Sequence, residues 1–511
     1  QLIDANLERA NLSYAILEAA HLQRAMLKNA DLESANLKNA DLRDARLFEA
    51  NLRKAYLYRT NLVCSMLAGA DLKEACLRGA DLTRALLQGA YLKAADLREA
   101  ILDRANLRRA KLYGATFDQA RLVETILQNA DLCFVEFRRA DLRNAKLEGA
   151  GIEGANLFKA NLSGACLSRA SLITAKLCGA DLSDTVLRGA DLSHANLTGA
   201  NLSRSRIGGA ILIGASLNHA NLTEAIFTRS NLSDSSFREA NLTNAKLNRT
   251  YLSGVSFEDA IMTNVRLSGA TVLRAYFSNA SLHEAQLNRT YLSYSDFGAA
   301  MLNHANLIAS TLIRVNWKSA IVHQTRFGGN QGLLRPQREW LQQNGADFSL
   351  SPLSNELPSS IQLEACQSDL NERLLDLEDA SEQTRETIAL LSESCDTLTR
   401  QMRFDRLNFV QSEIEIMEAE CDRADEKYDR YLSQIQNLTL NDPGSEVIEL
   451  LDGIHAQIFR LNRIKRSAFE HIRINNLGEN DRSIDLEEQS DEFGMDLDSI
   501  KEVDDEEIDN V

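Results

Sequence analysis

The sequence predicts an all-β solenoid, a square parallel β-helix, followed by an α-helical coiled-coil region. Three observations predict it. A large apolar residue recurs at every fifth position from Leu2 to Phe327. A small residue, usually Ala, stands two places before each of them, as at Ala5, Ala10 and Ala15. Beyond residue 360 the apolar spacing changes to alternating threes and fours.

A period of five fits neither standard element. On an α-helix five residues rotate by about 500°, so the leucines would spiral around the cylinder with no buried stripe. On a strand they would alternate between faces, because strand side chains repeat every two residues. The 66 apolar positions, 52 of them Leu, can share one interior only if the backbone bends at each pentad. Four quarter-turns close a coil of 20 residues, and stacked coils hydrogen-bond in a parallel ladder about 4.8 Å apart. Phe237, Phe257, Phe277, Phe297 and Trp317 fall in one slot at 20-residue steps, which predicts a single interior column. The small slot admits only Ala, Ser, Thr or Val, because larger side chains would overpack a turn where backbones approach closely.

Asn or Asp often fills the remaining position of the motif. Ala35-Asn36-Leu37-Lys38-Asn39 and Ala70-Asp71-Leu72-Lys73-Glu74 are two examples. This pattern over residues 1–330 resembles the pentapeptide-repeat family. The resemblance implies a right-handed quadrilateral β-helix, whose roughly 16 coils would extend about 75–80 Å. It also accounts for residues 331–346, where Gln337 to Ala346 is similar to the short helix that closes such rods. A cap is needed because the last coil otherwise leaves an unpaired edge and bare leucines. Gln1 begins inside a repeat, so either preceding residues or a pairing of that end is expected.

Residues 347–360 read as a linker, with Pro352 and Pro358 as breakers. Heptad-containing helices are expected over residues 361–440. Leu407, Val410, Ile414, Met417, Cys421, Ala424, Tyr428, Tyr431, Ile435 and Leu438 keep an unbroken a/d spacing. Ile388, Leu391, Cys395, Leu398 and Met402 follow the same rule in another phase, and the shift near residues 403–406 marks either a turn or a skip. Asn441-Asp442-Pro443-Gly444 is a turn, a further helix is expected over 445–474, and 479–511 reads as an acidic disordered tail.

Charge divides the chain. Residues 1–330 carry 39 Lys+Arg against 31 Asp+Glu, and residues 331–511 carry 17 against 42, which gives +8 and -25 and restores the total of -17. The eight cysteines stand singly, with no metal-like spacing, as expected of reduced thiols in the cytoplasm. No stretch is long and apolar enough to span a bilayer.

No catalytic, cofactor-binding or metal-binding residue is expected. The histidines are scattered; His283 and His323 share a slot but lie two coils apart, about 10 Å, too far for one metal. Acid pairs such as Asp41 and Asp44 follow the repeat, where a turn role suffices. Arg53, Lys73 and Lys93 align on successive coils, as do Arg78 and Arg98, but Glu74, Glu99 and Asp103 interleave with them, so a solvated face is expected. The cluster Arg460, Arg463, Lys465, Arg466 and Arg473 could meet nucleic acid or a membrane, or equally pair with the acidic tail. Phe493, Leu497 and Ile500 have helical spacing within that tail.

The expected function is that of a non-enzymatic structural and protein-interaction scaffold, oligomerised through the helices around Leu407–Leu438. The protein partner is unspecified, nucleic acid is not expected, and no cofactor is implied. A second reading comes from the resemblance, since some pentapeptide-repeat proteins act as DNA mimics that inhibit or protect a type II topoisomerase such as DNA gyrase. Mimicry needs an acidic rod, because the duplex is densely negative. This rod is mildly basic.

Overall fold

In a computed structural model the described residues are 1–349, 381, 385, 418–424, 426–428, 430–431, 454, 457 and 461. The chain divides into two compact units, Gln1–Asn355 and Glu356–Val511.

The first unit is a repeat solenoid with a coil of 20 residues. Parallel bridges join Asn6 to Met26, Asn11 to Asp31, Ile16 to Asn36 and His21 to Asp41, and the same offset continues to Asn306 and Arg326. Each coil therefore has four sides, each paired with the coil before and after it. The interior leucine donates forward, as Leu27 N–H does to the Arg46 carbonyl at 2.8 Å, while the bridge residue donates backward, as Met26 N–H does to Ala5 at 2.9 Å.

The bend sits at the two residues after each leucine. The following Ala N–H closes the turn on the leucine carbonyl, as from Ala30 to Leu27 at 3.0 Å. The second turn residue has positive φ at every corner from Asp4 to Gly329, while the first does not, which is the geometry of a type II turn. The non-glycine corners cluster tightly, between 52° for Ala19 and 62° for Arg229. Left-handed backbone disfavours a side chain by roughly 1 kcal/mol or more. The bridge-column Asn and Asp offset part of that cost. Their Oδ1 accepts the N–H of the first turn residue, as Asp31 does from Glu33 at 3.1 Å and Asn241 from Thr243 at 3.0 Å. This Asx bond is why those two residue types fill the slot.

The interior is dry. Leu27, Leu107 and Leu192, with Ala25, Ala105 and Ala190, are fully buried. Where Ser or Thr replaces Ala, the hydroxyl finds a backbone carbonyl, as Thr60 does on Leu37 at 2.8 Å and Thr125 on Leu102 at 2.7 Å. A buried hydroxyl is thereby tolerated without an unmet partner. The aromatic column forms as its spacing predicts. Phe237, Phe257, Phe277, Phe297 and Trp317 stack at centroid separations of 5.1, 5.2, 4.6 and 5.2 Å.

The open end is closed by helix α1, Arg335–Gln343. Its Leu341 is fully buried. Gln337 accepts from the Leu334 N–H at 3.1 Å and donates to the Val315 carbonyl at 3.1 Å, which ties the first turn of α1 to the coil below. After α1 the chain pairs once more, Asp347 beside Arg326, and Phe348 stacks on Phe327 at 5.1 Å. Gly332 leads into this cap at φ 72°, where a Cβ would stand 2.9 Å from the Ile313 backbone nitrogen.

The second unit is described at isolated positions. Ser381, Cys421, Ala424, Gln457, Ile454 and Leu461 are buried there, with Cys421 Sγ 3.8 Å from the Ser381 carbonyl. Residues 350–360 of the expected linker 347–360 and the tail 479–511 lie outside the described residues, as do most of 361–440 and 445–474.

Two substitutions test this construction. Thr174, β-branched and exposed, sits at a corner with φ 55°. Thr174→Gly is expected to raise unfolding stability by about 1 kcal/mol in a denaturant titration. Leu107→Asp buries an unpaired carboxylate and is expected to cost at least about 4 kcal/mol. A loss under about 1 kcal/mol would place Leu107 at the surface.

Candidate functional site

The solenoid's candidate site is its exterior, because the interior is filled by the repeat. Four bridge columns define four faces, each taken with the turn that follows it. Face 1 runs through His21, Asp41 and Asn61; face 2 through Met26, Arg46 and Met66; face 3 through Asp31, Asn51 and Asp71; face 4 through Asn36, Tyr56 and Cys76.

On faces 1 and 4 many of the charges are tied in pairs. On face 1, Arg43 meets Asp41 at 2.6 Å, Arg104 meets Glu124 at 2.8 Å and Arg204 meets Asp184 at 2.6 Å. On face 4, Arg98 meets Asp96 at 2.6 Å and Arg138 meets Asp118 at 2.6 Å. Several of these pairs join one coil to the next. Exposed pairs of this kind contribute little each, on the order of 0–1 kcal/mol.

The aligned cations singled out in sequence behave as a solvated surface. Arg53 and Lys73 both approach Asp71 on face 3, at 3.6 and 3.7 Å, while Lys73 and Lys93 lie over the rings of Tyr91 and Tyr113. Arg78 on face 4 meets Glu99 at 2.7 Å. Asp41 serves the turn, accepting from the Arg43 N–H at 3.2 Å. His283 and His323 share a column with Asn303 between them, and the His323 ring stands against His304 with centroids 6.5 Å apart. Among the described residues no three His, Cys, Asp or Glu side chains are grouped to hold a metal ion. Also among them, no helix is long and apolar enough to cross a membrane.

Face 2 differs, and this is what sequence reasoning missed. Counted by face over residues 1–330, Lys+Arg stand against Asp+Glu as 7 to 11 on face 1, 15 to 3 on face 2, 7 to 8 on face 3 and 10 to 9 on face 4. The positive excess of the solenoid therefore resides on one face. The signal was present at a 20-residue step, and a five-residue reading averages it away.

The family model for pentapeptide repeats (8 copies) matches successive stretches of the chain from residues 5–44 to 273–307. The chain belongs to the pentapeptide-repeat family. Solved structures similar to this pentapeptide-repeat protein include HetL, a pentapeptide repeat protein involved in heterocyst differentiation regulation from the cyanobacterium Nostoc sp. strain PCC 7120. It is 30% identical, with 48% of this chain and 89% of HetL covered at a TM-score of 0.23. QnrB1, a plasmid-mediated fluoroquinolone resistance protein, is 16% identical over 38% of this chain and 98% of its own, with a TM-score of 0.27. Rfr23, from the cyanobacterium Cyanothece 51142, is 22% identical over 24% of this chain and 54% of its own, with a TM-score of 0.12. No curated protein matches the chain.

The paired carboxylates make the surface pH-sensitive in a definite direction. The Arg43 hydrogen bond holds Asp41 below the ordinary carboxylate range, and the Arg98 hydrogen bond does the same for Asp96. For Asp141, burial pushes the value up and the hydrogen bonds from Arg143 more than offset it. Folded-state values that are depressed contribute stability above the ordinary Asp value of about 3.9, and that stability is lost as pH falls through the depressed values. The thermal midpoint is therefore expected to fall as the pH drops below about 4. Asp96→Asn keeps the turn-accepting oxygen and should lessen the fall, whereas Asp96→Ala should also cost about 1 kcal/mol at pH 7. A midpoint constant down to pH 2 would remove any role for these pairs.

Proposed function

We propose that this pentapeptide-repeat protein is a non-enzymatic interaction scaffold of the cytoplasm, whose coil winds right-handed. The observation that carries this reading is the division of labour within each coil. Interior and turn positions repeat without a slip, while the outward columns carry side chains that change from coil to coil, such as Tyr56, Cys76, Asp96 and Thr116 along face 4. A backbone fixed on all four sides by ladder bonds, with a stacked aromatic column inside, holds those side chains at set spacings. Binding to a surface so preorganised loses little conformational entropy. Mimicry of DNA has no support from the charge, since face 2 is basic and no face is strongly acidic.

Affinity capture from cell extract, with the full chain as bait, tests the scaffold. Charge reversals confined to one outer face, such as Arg238→Glu with Lys318→Glu, should change the captured proteins while moving the thermal midpoint by less than about 2 °C. A captured set indifferent to changes on all four faces would mean that recognition does not reside on the solenoid.

The heptad around Leu407–Leu438 supports self-association as a coiled-coil dimer. Cys421 and Ala424 lie on that same stripe, and both are buried within a single chain. Tyr428 and Tyr431 on the same stripe are only half-buried, which leaves apolar surface for a second copy. Sedimentation equilibrium is expected to give twice the chain mass of 56.8 kDa, reduced to a single chain by Ile414→Lys. A monomer for the parent chain would remove the coiled coil.

A further inference from the structure

We infer that face 2 is a sequence-independent docking track for the phosphate backbone of a nucleic-acid duplex. Between residues 106 and 329 its bridge and turn columns hold twelve Lys or Arg and one acid, Glu148. The stripe crosses eleven coil steps, about 53 Å at roughly 4.8 Å per step. All twelve cations are exposed.

The pairing pattern separates this face from faces 1 and 4. Arg43, Arg98, Arg138 and Arg204 on faces 1 and 4 are engaged by carboxylates. Among the described residues, Arg108, Arg169, Arg188, Arg206, Arg229 and Arg266 have no carboxylate within ion-pair distance. Their charge is directed outward instead of being spent within the fold. The turn edge carries a groove lined by Arg108, Gln128, Glu148, Arg169 and Arg188, so cations from neighbouring coils converge on one trough.

The composition of the stripe selects the partner. Protein interfaces are anchored by clustered aromatic and apolar side chains, and the outward columns of this stretch have no aromatic and, as large apolar residues, only the scattered Ile126, Val186, Ile226 and Ile308. Single strands are held by bases stacking on aromatics, which excludes them for the same reason. An anionic membrane presents a broad plane, but the stripe is narrow: Asp184 and Glu224, in the adjoining turn column of face 1, stand two residues before Val186 and Ile226 of face 2. What remains is a linear polyanion recognised by charge alone, and duplex DNA, with one charge per about 1.7 Å of axis, meets that description. The +8 of the whole solenoid is too weak a field to suggest this; its concentration on one face is what does. The chain as a whole carries -17, so attraction to DNA can arise only locally.

Fluorescence anisotropy of a labelled 20-base-pair DNA duplex with the full-length chain tests the inference. Binding is expected at 50 mM salt, weakening by roughly two to three orders of magnitude at 200 mM, as for about five neutralised phosphates. The variant Arg169→Gln, Arg188→Gln, Arg206→Gln, Arg229→Gln should lose at least about tenfold in affinity and show a shallower salt slope. A matched variant of face 4, Arg98→Gln, Arg138→Gln, Arg139→Gln, Arg238→Gln, should stay within about twofold of the parent. Thermal midpoints of both variants confirm folding. No binding at 50 mM salt, or equal losses in the two variants, would overturn the inference. So would face-2-dependent binding of phosphatidylserine vesicles without duplex binding, which would assign the stripe to a membrane surface.

Discussion

The constraint on which the solenoid depends is the left-handed residue at every corner. A pentad can bend the chain by a quarter-turn only if its turn closes within four residues. The type II turn by which these coils close requires positive φ at the third of them. Every corner from Asp4 to Gly329 meets that requirement, and most do so with a side chain that ordinarily avoids it. Arg9, Glu49 and Thr174 hold the same backbone angle within a few degrees. The local strain persists because three other features over-determine the bend. Ladder bonds run to both neighbouring coils, Oδ1 grips the turn wherever Asn or Asp fills the bridge column, as Asn6 does before Arg9, and the leucine behind it has nowhere else to pack.

From that constraint the interior follows. With the bend fixed, the residue two places before the leucine faces another backbone at close range, and only a small side chain fits. Ser and Thr are admitted where a carbonyl can take the hydroxyl, as Leu37 does for Thr60. The interior changes character where aromatics replace leucine, at the stacked pair Phe117 and Phe137 and along the column from Phe237 to Trp317. The stacking at about 5 Å arises because coil spacing and ring thickness are compatible.

The solenoid was legible in the sequence because its period is short and its phase unbroken. The 20-residue coil could be read from the spacing of Phe237, Phe257 and Phe277 alone. Two features were not legible at that level. Positive φ at the corners left only a diluted mark, since Gly stands at some of them, as at Gly69, Gly79 and Gly89, while Arg, Glu and His occupy the same slot elsewhere. The basic face was hidden because adjacent pentads point to different sides. Arg169 and Arg188 are 19 residues apart yet share a face, whereas Arg138 and Arg143, five apart, do not. Charge on a solenoid has to be counted at the coil period, and the five-residue period serves only the interior.

The measurement that most directly tests the quarter-turn is a long-range distance along one column. Arg109 and Arg229 occupy the same turn column six coils apart, and both are exposed. Spin labels at Arg109→Cys and Arg229→Cys, in the full chain with its natural cysteines replaced, should lie about 29 Å apart by double electron–electron resonance. Labels at Arg109→Cys and Arg169→Cys should halve that separation. A distance beyond about 45 Å for the first pair, or one that does not scale with the number of twenty-residue steps, would contradict the coil.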